Sequence, residues 1–189
     1  MKNIRKPLAL ACAAAILWPS LGLGAEWASV RFKSMRGLCR KDNMPAVVGW
    51  VETKAGQYVA TFFMNDPAAQ WLKKHKDKPL FQRWKPRPLK IAKTDAVTKA
   101  TSSVFGTVKT SWDIKDDKGK LVPNGDYIVK LESAIQGPAN AKFAQVTSLP
   151  ITLGGSKTFF NKPTTKYLDG RRTRKSAIYI RRLAVELRD

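Results

Sequence analysis

The stretch Trp112-Asp-Ile-Lys-Asp116-Asp117-Lys-Gly119-Lys-Leu-Val-Pro123-Asn124-Gly125-Asp126-Tyr127 holds four of the chain's 14 acidic residues, in a protein that carries 35 Lys and Arg. Four acids so close together are either a cation site or a folding device. A calcium-binding helix–loop–helix needs oxygen ligands at positions 1, 3 and 5, Gly at 6 and Glu at 12. Counted from Asp113, those places hold Lys115, Lys118 and Asn124 where a ligand, the glycine and the glutamate belong. The spacing therefore excludes that loop, and no metal is expected. A turn fits better. Asp side chains accept from nearby backbone N–H groups, Gly119 supplies positive φ, and Val122-Pro123-Asn124-Gly125 is a strong turn tetrapeptide. On this reading the strand that ends at Trp112 turns and comes back as the strand from Tyr127.

Working outward, strand signals dominate. Residues 29–33 alternate, and Ala46–Glu52 and Gln57–Met64 are rich in β-branched and aromatic residues. Thr53-Lys54-Ala55-Gly56 between them is hairpin-sized. Asp66-Pro67 opens a short helix with Asp66 as its cap and Ala68, Trp71, Leu72 and His75 on one face, ending before Pro79. Leu80 to Pro88 is a basic, aromatic loop, since Pro86 and Pro88 exclude a central strand. Residues 104–112 and 127–132 alternate as strands. Phe143–Leu153 is extended but contains Pro150, which predicts a break or an edge. Gly154 to Lys175 reads as a polar, basic loop. In the last strand, Ala177 to Leu187, the apolar phase slips between Ile178/Ile180 and Leu183/Val185/Leu187, and a bulge near Arg181-Arg182 accounts for it. Short strands, frequent turns and one short helix give a mainly β fold, an antiparallel β-sandwich. There are no βαβ units, repeats or heptads.

The N-terminus reads as an export signal. Lys2, Arg5 and Lys6 precede the apolar run Leu8–Trp18, Pro19 ends it, and Leu23-Gly24-Ala25 offers small residues for cleavage. The expectation is a secretory peptide over 1–25, a single domain over 26–189 and a periplasmic location. One cysteine, Cys39, stays in the domain, so no internal disulfide is expected. Loss of the leader leaves a net charge of about +18, a field that attracts anions. Nucleic acid is not expected as a partner of an exported protein. Acidic protein, anionic glycolipid and lipid headgroups remain. The densest cationic runs hold Arg83, Trp84, Lys85 and Arg87, and Arg171, Arg172, Arg174 and Lys175. These are the candidate anion-binding residues.

Beyond these patterns, Trp-Asp-x-x-Asp-x-x-Gly-x-x-Val-Pro-x-Gly-x-Tyr resembles the Ig-like hairpin of the flagellar hook-capping protein. It resembles more closely a bacterial family of predicted periplasmic proteins, domain of unknown function 2271. The resemblance extends over Met44–Met64, Trp71-Leu72, Trp84, Asp95–Thr101 and Leu149–Gly154, in order, and implies an Ig-like sandwich. Asp95-Ala-Val-Thr98-Lys99-Ala100-Thr101 is also similar to the flavinylation motif Asp-x-x-[Ser/Thr]-Gly-Ala-Thr. That likeness implies FMN esterified to Thr101, although Lys99 stands where the motif has glycine. The alternative is a polar turn. Members of the family are often encoded near flavin transferases and PepSY-type membrane proteins, which implies a role beside envelope electron transfer or iron acquisition.

Catalytic chemistry finds few parts. His75 is the single histidine, and its neighbours Lys73, Lys74 and Lys76 place it near solvent. A Cys39–His75 nucleophile pair is one open reading. No serine nucleophile elbow, zinc spacing or phosphate loop is present, and no catalytic residue is assigned. The expected function is a non-enzymatic accessory or binding module of the envelope, beside a flavin- or iron-linked redox system and partnered by an envelope or inner-membrane protein. The alternatives are a covalent-FMN carrier through Thr101 and a cationic binder of anionic glycolipid or acidic protein. The oligomeric state is not legible.

Overall fold

The computed structural model describes residues 25–34, 45–74, 83, 106–135, 143–155, 159–160, 163–167 and 180–188. The expected export signal, Cys39, His75, Trp84, Lys85, Arg87, Thr101, Arg171, Arg172, Arg174 and Lys175 lie outside the described residues, save that Ala25 is the first of them.

Among the described residues nine strands and one helix follow in the order β1 (Trp27–Ser34), β2 (Ala46–Thr53), β3 (Tyr58–Met64), α1 (Asp66–Lys74), β4 (Gly106–Trp112), β5 (Gly125–Ile135), β6 (Phe143–Leu153), β7 (Phe159–Phe160), β8 (Thr164–Tyr167) and β9 (Ile180–Arg188). They form two antiparallel sheets. One has four strands in the order β4-β1-β9-β7, the other five in the order β3-β2-β5-β6-β8. The fold is the mainly β, two-sheet architecture with one short helix that the alternation predicts.

The period-2 pattern explains which side of each sheet is buried. Ala28, Val30 and Phe32 of β1 face inward, as do Leu183, Val185 and Leu187 of β9. From the other sheet come Val47, Val51, Phe62, Phe63, Val129, Leu131, Leu149 and Ile151. Phe32 and Phe63 meet edge to face across the sandwich, with centroids 5.2 Å apart. A second apolar cluster lies on the outer side of the five-stranded sheet. Ala46, Val48, Trp50 and Met64 are covered there by Ala68, Trp71 and Leu72 of the helix.

Four local readings are sharpened. The slip in the last strand is a bulge: Lys33 pairs with Arg182 while the next residue, Ser34, pairs with Ile180, so Arg181 is the extra residue. It lets Ile180 and Leu183, three apart, both point inward. Pro150 does not break β6. It pairs with Ile128 on one side, and on the other β8 reaches only to Ser148, so the missing N–H costs no ladder bond there. The helix cap is Asn65 rather than Asp66: Asn65 Oδ1 accepts from Ala68 N at 3.2 Å, and the helix begins at Asp66. The region Gly154–Lys175, expected to be a loop, contains β7, which at two residues is too short to show in periodicity, and β8, which is short and polar.

The main correction concerns residues 112–127. β4 and β5 do not pair. β4 pairs with β1 in the four-stranded sheet, whereas β5 lies between β2 and β6 in the five-stranded one. Residues 113–124 are a crossover between sheets. Its own turn is a miniature loop closed by the Lys115–Leu121 bridge. Turn chemistry says that a chain reverses, but not that the strands on either side become partners. Here burial decides: Ile114 and Val122 are drawn into the core between the sheets, 3% and 6% exposed, and that holds the crossover between the layers. Ile114 adopts φ +52°, a left-handed conformation costly for a β-branched residue and held by its buried side chain.

Candidate functional site

The four acids of the crossover do four separate things. Asp116 Oδ1 accepts from the backbone N–H of Lys118 and of Lys120, both at 2.9 Å, as an Asx-type turn requires. Gly119 follows at φ +80°. Asp113 pairs with Lys115 at 3.7 Å. Asp117 accepts from the Tyr58 hydroxyl at 3.1 Å, which ties the crossover to β3. Asp126 accepts from Thr152 Oγ1 at 2.8 Å and pairs with Lys54 at 3.4 Å. The Thr152 hydrogen bond, and after it Lys54, hold the Asp126 carboxyl below its ordinary pKa. Among the described residues, no three His, Cys, Asp or Glu lie together as a group that could hold a metal ion. The aromatic residues that flank the acids anchor the same segment. Trp112 Nε1 donates to the carbonyl of Lys115 at 2.9 Å, and the Tyr127 hydroxyl donates to that of Pro123 at 2.8 Å.

The outer side of the five-stranded sheet gathers more ionisable groups than its strands suggest one by one. Lys130 and Glu52, on neighbouring strands, form a largely buried ion pair, and Trp50 Nε1 donates to the second oxygen of Glu52 at 2.6 Å. Carboxylate and ammonium each need a partner when taken from water, and here each has one. On the same strand as Lys130, Glu132 is fully buried and opposes Val48. It accepts from the backbone N–H of Arg83 at 3.1 Å. Tyr58 shares a hydrogen bond with Thr61 Oγ1 at 2.7 Å. Its burial is the main reason that its hydroxyl pKa is raised. Asn65 ties the helix to this sheet three ways. Its Oδ1 takes Val47 N at 2.8 Å as well as Ala68 N, and its Nδ2 donates to the Pro45 carbonyl at 2.8 Å.

Of the expected anion-binding residues, Arg83 alone is described. It is exposed, and its backbone is fixed on the five-stranded sheet by Glu132. Glu132 and the Glu52–Lys130 pair were not singled out from the sequence. A signal was present, however: the alternation of Tyr127–Glu132 puts Lys130 and Glu132 on one face of a strand whose other face is core. Between the sheets, Gln145, Thr147, Ser34 and Ser133 make one end of the core polar. Chemically, the described carboxylates in these networks act as acceptors that hold turns, strands and a loop in place.

Comparison with known proteins gives one result on the family. A family model described as "Predicted periplasmic protein (DUF2271)" matches residues 32–168. No curated protein and no solved structure matches the chain.

Proposed function

The chain belongs to the family of predicted periplasmic proteins just described, and on that premise we propose that it is a non-enzymatic accessory or binding module of the bacterial envelope, working beside a membrane protein. The use made of the described carboxylates supports this reading. Asp116 holds a turn, Glu132 holds the Arg83 segment, Glu52 holds Lys130 and Asp117 holds β3 to the crossover. A general acid or base has to be within reach of a substrate proton, whereas these acids are spent on the chain itself. The motif likeness at Asp95–Thr101 supports placing the module next to a flavin- or iron-linked redox system.

The test is affinity purification of the exported protein from the detergent-solubilised envelope of its own host, followed by intact-mass and absorbance measurements. A module brings down a membrane protein in stoichiometric amount, has the mass of its polypeptide alone and does not absorb in the flavin bands. A yellow protein with an FMN-sized adduct on Thr101 would overturn this reading in favour of the carrier.

A further inference from the structure

The four-stranded sheet has an outer face too, and pairing register shows what stands on it. Across β4, β1 and β9 the rows read Thr107–Lys33–Arg182, then Lys109–Arg31–Ala184, then Ser111–Ser29–Glu186. Trp27 and Arg188 follow, with the guanidinium 5.2 Å from the ring centroid. Five cations and one acid thus share a face that spans roughly 10 Å across three strands and 20 Å along them. Glu186 serves Arg31 and Arg188, at 3.0 Å each. Lys33, Lys109 and Arg182 are exposed and pair with no acid among the described residues.

This arrangement opposes folding. Lys33 stands directly opposite Arg182, and Arg31 opposite Lys109, and like charges in facing positions destabilise an antiparallel pair. Local stability favours Thr or Glu at any of these places. A field that the sheet bears at a cost has its use outside the sheet.

We propose that this face docks on a membrane, against the phosphate headgroups of an anionic bilayer. Charge complementarity gives the sign. Shape gives the class of partner, since a pleated sheet bearing long, exposed Lys and Arg side chains matches a plane of phosphates. The only large apolar side chain standing exposed among the described residues is Leu121, on the crossover. Contact is therefore by adsorption, without an inserted anchor, and is released by salt. The inference rests on the family's periplasmic description, which sets the protein between two membranes, and not on the module reading. Partner capture in detergent can succeed while vesicle binding fails, or the reverse.

The experiment is co-sedimentation of the mature protein with phosphatidylglycerol-containing vesicles, at low and raised salt, against neutral phosphatidylcholine vesicles. Two triple variants separate the face from net charge: K33E/K109E/R182E, and K73E/K74E/K118E on the helix and the crossover. The wild type is expected to sediment with anionic vesicles only, and to be released by salt. The face variant should partition at least roughly tenfold more weakly than the helix variant, at about a fivefold effect per cation near the surface. Far-UV circular dichroism checks folding, and K33Q/K109Q/R182Q replaces the reversal if that variant misfolds. Equal losses in the two triples would overturn the proposal. So would a wild type that ignores anionic vesicles, or one that binds an acidic polypeptide through this face in their place.

Discussion

Gln145 of one sheet and Ile180 of the other are joined by a two-way hydrogen bond: Gln145 Nε2 donates to the Ile180 carbonyl at 2.8 Å, and Ile180 N donates back to Gln145 Oε1 at 3.2 Å. A side-chain amide here completes the backbone of β9 at its first residue, beside the Arg181 bulge, where ladder pairing is interrupted. Replacing Gln145 with Leu keeps the volume but strands a buried N–H and a buried C=O. The expected cost is about 2–4 kcal/mol, read as a lower midpoint in urea unfolding. A loss under about 0.5 kcal/mol would show that the staple carries little.

Asn65 meets three needs with one side chain, so its variants separate them. Asn65→Ala loses the cap on Ala68 and the bonds to Val47 and Pro45, for about 2–3 kcal/mol. Asn65→Asp retains both acceptor contacts but puts a charge against the Pro45 carbonyl. It should fall between wild type and Ala in thermal unfolding.

For the crossover, a backbone role and a cation role predict opposite results. Asp116→Asn keeps Oδ1 as the acceptor for Lys118 and Lys120 and should change stability little. Asp116→Ala should cost about 1 kcal/mol. Added calcium, or a chelator, should leave the Tm of all three proteins unchanged in calorimetry. A calcium-dependent Tm in the wild type alone would restore a cation site.

Stability should also fall at both ends of the pH scale, for different groups. The folded pKa values of Asp126 and Glu186 are lowered, Glu186 first by its hydrogen bond to Arg188. Below the ordinary carboxylate range the unfolded chain takes up these protons more readily than the folded one. The stabilisation is therefore present above that range and is lost as pH falls through the lowered values. Tyr58 acts in the opposite sense: its raised pKa means that the unfolded phenol ionises first, so stability is lost as pH rises past about 10. Glu186→Gln should flatten part of the acid limb and Tyr58→Phe part of the alkaline limb in urea midpoints recorded from pH 3 to 11.

Much of this fold can be read along the chain. Residue pattern located seven of the nine described strands, β1 to β6 and β9, and the bulge, because each is a local consequence of which residues must be buried. Partnership was less legible. The turn residues at 113–126 carry the same signature whether the neighbouring strands pair or diverge, and the difference lies in Ile114 and Val122, apolar residues inside a polar segment. The charged face was invisible for a related reason. Lys33, Lys109 and Arg182 stand apart in three distant strands, and only the register brings them together. Dense basic runs such as 83–87 draw attention in a sequence, whereas a sheet assembles its cations from single positions.

The pairing of β1 with β9 also sets an order in time. Arg31 and Glu186, bonded across 155 positions, belong to neighbouring strands at the heart of one sheet. A nascent chain can form β2, β3, β5 and β6 as neighbours, but β1 must wait for the last strand to be delivered. Until then the first strand has only β4 to pair with, and closing so long a loop is slow. A sandwich whose central strands lie 155 positions apart in the chain therefore shuts late, and its four-stranded sheet stays open longer than the hairpins built from neighbouring strands.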